Sequence, residues 1–315
     1  VRKGSVFLVL IAVSLLFSFC VSSKAPVHER ESINLSKIFN ATPVDDTGFP
    51  VKNVNPKRIV SLAPSNTEIL FALGLKDRIV GVTDYCDYPP EVVEMKKSGK
   101  LVSVGGYSTV NIEKVLALNP DLVVASYGNG LDTIEALRNF GIYVIAFDPK
   151  SVKDVMKDII LIGIATGKYD EAKELVKRMT EKIEEVRKEV KGNPKVRVAH
   201  IVWHDPIWVT GRDTFVNDVI ELAGGENVFN FSGWRVVSVE DLIAANPDVI
   251  LVNSGSGMSG GKNVIYDWIM SDERLKSIKA VREGRVYVID AAIISRPSYR
   301  LADAVKIVAE LLHKR

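Results

Sequence analysis

Val110-Asn111-Ile112-Glu113-Lys114-Val115-Leu116-Ala117-Leu118-Asn119-Pro120-Asp121-Leu122-Val123-Val124-Ala125 recurs 127 positions later, without a gap, as Val237-Ser238-Val239-Glu240-Asp241-Leu242-Ile243-Ala244-Ala245-Asn246-Pro247-Asp248-Val249-Ile250-Leu251-Val252. Each copy spells a helix-turn-strand unit. Asn111 or Ser238 is an N-cap whose side chain accepts from orphan backbone N–H groups. A short apolar helix follows. Asn119 or Asn246 tolerates the left-handed turn that ends it, and proline blocks continuation. Four apolar residues then fit a buried parallel strand and are too few for a helix. One such unit used twice, this far apart, points to two similar α/β lobes. Each copy also sets a glutamate at the second helical position, Glu113 and Glu240.

Outward from the repeats the alternation continues. Ile59–Leu62 reads as a strand, Pro64 to Leu73 as a helix closed by Gly74, and Ile79–Val82 as a strand leading into the loop Thr83–Pro90. A helix over 131–140 and the strand Tyr143–Ala146 complete the first lobe. This βαβ order predicts a parallel sheet with helices on its faces. Residues 151–191 are the join, opened by a Ser151/Asp154 capping box. There Ala172, Leu175, Val176, Met179, Ile183, Val186 and Val190 recur at helical spacing among Glu and Lys. Such a connector is stiff and limits lobe motion. The second lobe begins with the strand Val196–Val202 and a loop, 203–211, carrying two tryptophans. A helix capped by Thr214 follows. Beyond the second copy come a glycine-rich loop, a helix near 264–270, the strand Val286–Ile289 and a terminal helix from about Tyr299.

Totals narrow the function. The 315 residues are enough for two cored lobes. Basic and acidic residues number 41 and 39, a net charge of +2, so nucleic acid is not an expected partner. Two cysteines, Cys20 and Cys86, build neither a disulfide framework nor a cysteine metal cluster, and the four histidines are not paired at ligand spacing. Neither a metal nor a resident cofactor is expected. Arg2 and Lys3 ahead of the apolar run Val6–Phe19 have the layout of an export signal, too short for a comfortable membrane span. Three fates stay open: lipid attachment at Cys20, where Phe19 is a poor neighbour, cleavage near Ser23 or Ala25, or an uncleaved anchor helix. The expected divisions are a signal at 1–25, an arm with a hairpin at Asp45-Asp46-Thr47-Gly48 over 26–56, a first lobe at 57–150, the join at 151–191 and a second lobe at 192–315.

Gly255-Ser256-Gly257-Met258-Ser259-Gly260 matches a dinucleotide fingerprint, and Gly257–Gly261 a nucleophile elbow. Both read as accidents of a glycine-rich loop. The fingerprint's acidic partner is too far off at Asp290, and the only downstream histidine for an elbow, His313, sits in the terminal helix. The aromatic residues are more telling. Tyr85, Tyr127, Trp203 and Trp208 fall at strand C-terminal ends, and Tyr107 and Trp234 just before the two repeats. In open α/β sheets that edge binds ligands. Six aromatics from both lobes on one rim favour a flat or large apolar ligand. Arg212, Arg235, Arg296 and Arg300 are available for anion recognition. First-turn glutamates are favoured by the helix dipole. Their symmetry across lobes suggests instead one acidic knob per lobe facing a two-fold partner.

Arg58-Ile59-Val60-Ser61-Leu62-Ala63-Pro64-Ser65-Asn66-Thr67-Glu68, Asp84-Tyr85-Cys86-Asp87-Tyr88-Pro89-Pro90, Asn119-Pro120-Asp121-Leu122 and Gly224-Gly225-Glu226-Asn227 together resemble the helical-backbone class of ABC-transporter substrate-binding proteins, which carry vitamin B12, ferric siderophores and haem. The resemblance runs from about residue 45 to the C-terminus. It implies an α/β fold of two Rossmann-like lobes with central parallel sheets, joined by a single long interlobe helix, with the ligand cleft between them. It implies an exported, monomeric, non-enzymatic protein, periplasmic or anchored to the outer face of the cell membrane. Such a protein delivers its ligand to a dimeric ABC permease with its ATPase subunits. Residue by residue, it places permease docking at Glu113 and Glu240 and ligand contacts at Tyr85, Tyr107, Trp208, Trp234 and Asp290. Tyr127 and Arg296 join them from their position on the rim. The Asp-Tyr-x-Asp-Tyr-Pro-Pro loop looks closest to the B12 branch, so a corrinoid is the first expected ligand. Tyr107 stands where that branch often has tryptophan, and Ala291–Arg300 looks more like the siderophore branch. An iron chelate, ferric siderophore or haem, is therefore the alternative. An extracytoplasmic hydrolase using Ser259 and a non-importing scaffold or sensor are the rivals from other classes.

Overall fold

The structure is a computed structural model and describes residues 33–254 and 263–314. The expected export signal, Cys20 and the Ser259 loop lie outside the described residues. In chain order the elements are α1 (Leu35–Phe39), β1 (Ile59–Ser61), α2 (Pro64–Ala72), β2 (Ile79–Val82), α3 (Pro90–Lys97), β3 (Val102–Ser103), α4 (Ile112–Ala117), β4 (Leu122–Ser126), α5 (Leu131–Asn139) and β5 (Val144–Phe147). Two helices follow, α6 (Val152–Thr166) and α7 (Tyr169–Glu189). The second half holds β6 (Val196–His204), β7 (Ile207–Thr210), α8 (Phe215–Leu222), β8 (Gly225–Asn227), β9 (Trp234–Val237), α9 (Val239–Ala245), β10 (Val249–Ser254), α10 (Val264–Ser271), α11 (Lys279–Arg282), β11 (Val286–Asp290), α12 (Ala291–Ile294) and α13 (Leu301–Leu312).

The repeated unit forms as its residues dictate. Asn111 Oδ1 accepts from Lys114 N at 2.8 Å and Ser238 Oγ from Asp241 N at 3.0 Å. Asn119 and Asn246 both hold positive φ, 43° and 41°. The aspartate after each proline then ties the unit to its lobe. Asp121 Oδ2 accepts from Lys57 N and Arg58 N, and Asp248 Oδ2 from Arg197 N. The arginines return the contact. Arg58 donates to Leu118 O, and Arg197 to Ala245 O and Asn246 O, closing carbonyls the helix end leaves unpaired.

The first sheet is parallel, in the order β3-β2-β1-β4-β5. Its strands β1, β4 and β5 are buried on both faces, while the edge strand β3 is exposed. Ile59, Val124 and Ile145 face α6, and Val60, Val123 and Val144 face the opposite helices. The second sheet is mixed, β11-β10-β6-β7-β9, with β8 parallel to the start of β6. Here the expected loop at 203–211 is corrected. β6 runs on to His204, a tight turn follows, and β7 pairs back antiparallel, Trp203 opposite Trp208. The signal was the alternation of buried Ile207 and Val209 around exposed Trp208. β9 adds an antiparallel edge strand to β7.

The join also divides. α6 ends at Gly167, whose left-handed φ of 72° suits glycine. α6 lies on the first lobe: Val54 N donates to Ala165 O, and Lys157 pairs with Asp46. The single crossing helix is α7, 21 residues and about 31 Å long. At its start the Tyr169 hydroxyl donates to Phe39 O, and further on Lys182 pairs with Asp303 of α13. One continuous apolar core takes in Ile59 and Val124 of the first sheet, Val176, Met179 and Ile183 of α7, and Val198 and Leu251 of the second sheet. A helix sharing a close-packed core with both lobes is a stiff link.

Candidate functional site

The loops that leave strand C-terminal ends in the two lobes meet each other. Glu68 and Asp87 follow β1 and β2; Arg296, Ser298 and Arg300 follow β11. Arg296 bridges Glu68 at 3.2 Å and Asp87 at 2.6 Å, Arg300 lies 3.4 Å from Glu68, and Ser298 Oγ donates to Glu68 Oε2 at 2.5 Å. The Arg300 guanidinium also stacks 3.9 Å over the Tyr88 ring. A second contact also joins the lobes: Val152 N, at the start of α6, donates to Asp218 Oδ2 of α8 at 3.0 Å. Segments that follow strand C-terminal ends in the two lobes therefore meet at two places.

The first-lobe rim is built by three loops. The Cys86 thiol is buried between the Thr67 and Thr83 hydroxyls, each at 3.2 Å, which anchors the loop carrying Tyr85. Burial raises the Cys86 pKa, so this thiol is a packing group. Tyr85 is 55% exposed, and its ring lies along Gly106. The neighbouring Tyr107 lies against Gly128 and shares a 2.8 Å hydrogen bond with Ser126 Oγ. The buried amide of Asn129 fixes the arrangement, donating to Leu62 O and Tyr107 O and accepting from Ser126 N. Tyr85 and Tyr107 thus form one surface. Tyr127 is tethered elsewhere: its hydroxyl donates to Asp46 O in the N-terminal arm, and burial followed by the charge of Asp148 raises its pKa.

The second-lobe rim is the face of the β6-β7-β9 ribbon. Trp208 stands opposite Trp203 on one side and Val236 on the other, and Trp234 is two residues from Val236 on the same face. Trp208, Trp234 and Val236 are 40%, 36% and 49% exposed, unusual for large apolar groups placed together. Trp234 packs edge-on against Phe215, the first residue of α8. His204 is held between Trp203 and Trp268, and its buried Nδ1 lacks a hydrogen-bond partner among the described residues. Beneath the ribbon, His200 links Thr210 at 2.7 Å to Asn253 at 2.9 Å, and Asn253 Nδ2 donates to Ser295. Since that amide nitrogen already donates, Asn253 Oδ1 takes the His200 Nε2 proton, and Nδ1 accepts from Thr210.

Asp290 ends β11, is exposed, and caps α12 by accepting from Ala292 N. Arg296, expected on the ligand rim, is instead engaged by Glu68 and Asp87 in the contact between lobes. Burial raises the Glu68 carboxyl above its ordinary pKa, against the opposing pull of Ser298, Arg300 and Arg296. Burial also pushes Tyr299 up to about 12. The sequence held a signal for this cluster: Glu68 lies in a helix with no basic residue, so its buried charge required a distant partner. Glu113 and Glu240 are exposed in the first turns of α4 and α9. Glu240 lies in the field of Arg274, whose own ion pair is with Asp272. No cluster of three metal-ligating side chains occurs among the described residues.

The sequence profile described as "Periplasmic binding protein" matches residues 59–293. The chain is 31% identical over 323 residues to the Bacillus subtilis (strain 168) "Uncharacterized ABC transporter substrate-binding lipoprotein YvrC", covering 99% of this chain and 98% of the relative. It is similar in structure to "periplasmic Vitamin B12 binding protein BtuF of Vibrio cholerae", with 28% identity, a TM-score of 0.67, and coverage of 82% of this chain and 97% of the other. It is also similar to the "Periplasmic heme-binding protein RhuT from Roseiflexus sp. RS-1", with 28% identity, a TM-score of 0.72, and coverage of 82% and 98%.

Proposed function

The chain belongs to the periplasmic binding protein family, and from that premise we propose that it is the extracytoplasmic substrate-binding component of an ABC importer, capturing a corrinoid between its lobes. The observation that carries the reading is a set of aromatic side chains on the loops and strands at the sheet edges: exposed Tyr85 with half-buried Tyr107 from the first lobe, and exposed Trp208, Trp234 and Val236 from the second. Indole and phenol rings bury much apolar area at small cost in side-chain entropy, so such a set suits a broad planar ligand. Asp290, at the end of β11, is the acidic group offered to the ligand from the second lobe. Arg296 and Arg300 are already balanced by Glu68 and Asp87, which leaves them little to offer the carboxylates of a haem or a ferric siderophore. That balance ranks the corrinoid first. Haem is the second reading, favoured by the likeness to RhuT.

Delivery follows from the two exposed carboxylates. Glu113 and Glu240, one per lobe, dock the loaded protein on a two-fold permease carrying basic partners. The protein acts by binding and performs no catalysis. The deciding experiment is calorimetry with cyanocobalamin, cobinamide, haemin and ferric siderophores. Cyanocobalamin binds, with tryptophan fluorescence quenched, and Trp208→Ala or Trp234→Ala weakens it at least about tenfold, the effect expected of an aromatic anchor. Binding of none of these ligands, or tryptophan variants that bind as tightly as the parent, overturns the reading. A hydrolase activity lost in Ser259→Ala would put the rival enzyme in its place.

A further inference from the structure

The two contacts between the lobes are related by the same duplication that made the lobes. β1-α2-β2 corresponds to β6, α8 and β8, with the β7 strand inserted ahead of α8. Within that match Glu68 and Asp218 take the same place. Each stands six residues before a glycine of positive φ, Gly74 at 73° and Gly224 at 86°. Each reaches across to the segment leaving the last strand of the other lobe: Glu68 to Ser298 and Arg296 beyond β11, Asp218 to Val152 N beyond β5. The lobes therefore hold each other by an exchanged pair of carboxylates.

We propose that Glu68 and Asp218 are positioning residues forming a reciprocal lock that sets the width of the cleft. α7 links the lobes through their shared core, and rocking about it would open the sheet edges most. Both locks cross from one lobe to the other and so oppose that motion. Glu68 is fully buried, and the cluster sets two carboxylates, Glu68 and Asp87, against two guanidinium groups, Arg296 and Arg300. Charge-assisted hydrogen bonds of this kind fix orientation as well as distance. The second includes the backbone donor Val152 N, at the N-terminus of α6, where a carboxylate is also favoured by the helix dipole. The effect on ligand retention rests on the cleft reading given above; the lock itself does not.

The test measures distances between spin labels on the full-length chain, with Cys20→Ser, at exposed Asp132→Cys in the first lobe and Glu283→Cys in the second; Cys86 is buried. Asp218→Ala broadens the interlobe distance distribution, and Asp218→Asn restores it, because the amide oxygen still accepts from Val152 N–H. Ser298→Ala with Arg296→Met and Arg300→Met removes the three side chains that reach Glu68 from the other lobe and so releases the other lock. Combined with Asp218→Ala, it widens the distribution about twofold or more, as hinge motion freed of its stops does. Circular dichroism verifies that each variant remains folded. A folded combined variant with the parent's narrow distribution overturns the lock, as does failure of Asp218→Asn to rescue. If the distributions broaden while cyanocobalamin and haemin fail to bind the parent, the ligand reading falls and the lock stands. Where a ligand binds, its dissociation from the combined variant is faster by about tenfold, since affinity changes within one site appear mainly in the off-rate.

Discussion

Gly128→Ala tests how the first-lobe aromatic surface is held. A β-carbon at Gly128 would meet Tyr107 Cε1 at 2.1 Å and its Cζ and hydroxyl oxygen at 2.3 Å. Regaining an ordinary 3.4 Å contact requires the ring to move by about 1.3 Å. The backbone of Tyr107 resists a shift, because its carbonyl accepts from the buried Asn129 amide at 2.7 Å. The displacement therefore falls on the side chain, which swings off Gly128 and loses its 2.8 Å hydrogen bond to Ser126. That bond contributes about 0.5–1.5 kcal/mol, and an off-rotamer ring costs about 0.5–1.5 kcal/mol more. The expected loss of stability is about 1–3 kcal/mol, measured by urea unfolding. Affinity for cyanocobalamin falls at the same time by about tenfold, near 1.4 kcal/mol. Tyr107→Phe is the control, since it removes the hydroxyl and leaves the ring in place; its effect on affinity is the smaller. In a double-mutant cycle, Tyr107→Ala with Gly128→Ala is no less stable than Tyr107→Ala alone, because the clash has gone. Additive single effects, or a Gly128→Ala protein with unchanged stability, would refute the packing argument.

Replacing both Glu113 and Glu240 with alanine abolishes most uptake by a reconstituted permease while ligand affinity stays unchanged; added salt weakens docking of the parent protein, and undiminished uptake by the double variant would remove the docking role. His200 gives the fold a slope with pH. Burial lowers its pKa to about 4, against the opposing hydrogen bond to Asn253. Below the unfolded value of about 6.5 the unfolded chain binds a proton that the folded one refuses. Stability is therefore lost as pH falls from about 6.5 to 4, by about 3 kcal/mol in all. His200→Gln flattens that stretch in urea titrations, and an unchanged profile would contradict the assignment. Asp158 of α6 has the opposite slope. Its Oδ1 is buried without a partner among the described residues, and burial, then the charge of Asp46, holds its pKa well above the ordinary 3.8. Its protonated form favours the fold at low pH, and that benefit is lost as pH rises through the folded pKa. Asp158→Asn is accordingly more stable than the parent at pH 8 by about 1–3 kcal/mol, with the gap closing toward pH 4; equal stability at pH 8 would show that the carboxylate is paired there.

Local chemistry in the sequence determined the elements and their duplication. Caps at Asn111, Thr214 and Ser238, left-handed turns at Asn119 and Asn246, and four-residue apolar runs act within a turn or two of chain, so they could be read directly. They determined two α/β lobes, a helical join and the edge where a ligand would sit. The short strands β3, β8 and β9 were not legible, because two to four residues carry little periodicity and gain their stability from neighbours. The hairpin at 203–211 was missed for a related reason, its two-residue turn being masked by the tryptophans taken as loop residues. What only the tertiary structure decided is which side chains meet across the lobes. Tyr127 turned to the N-terminal arm, and Arg296, with an acidic partner more than two hundred residues away, became part of a lock. A charge entering a low-dielectric interior must find its counter-charge wherever the fold brings one, and sequence separation holds no record of where that is.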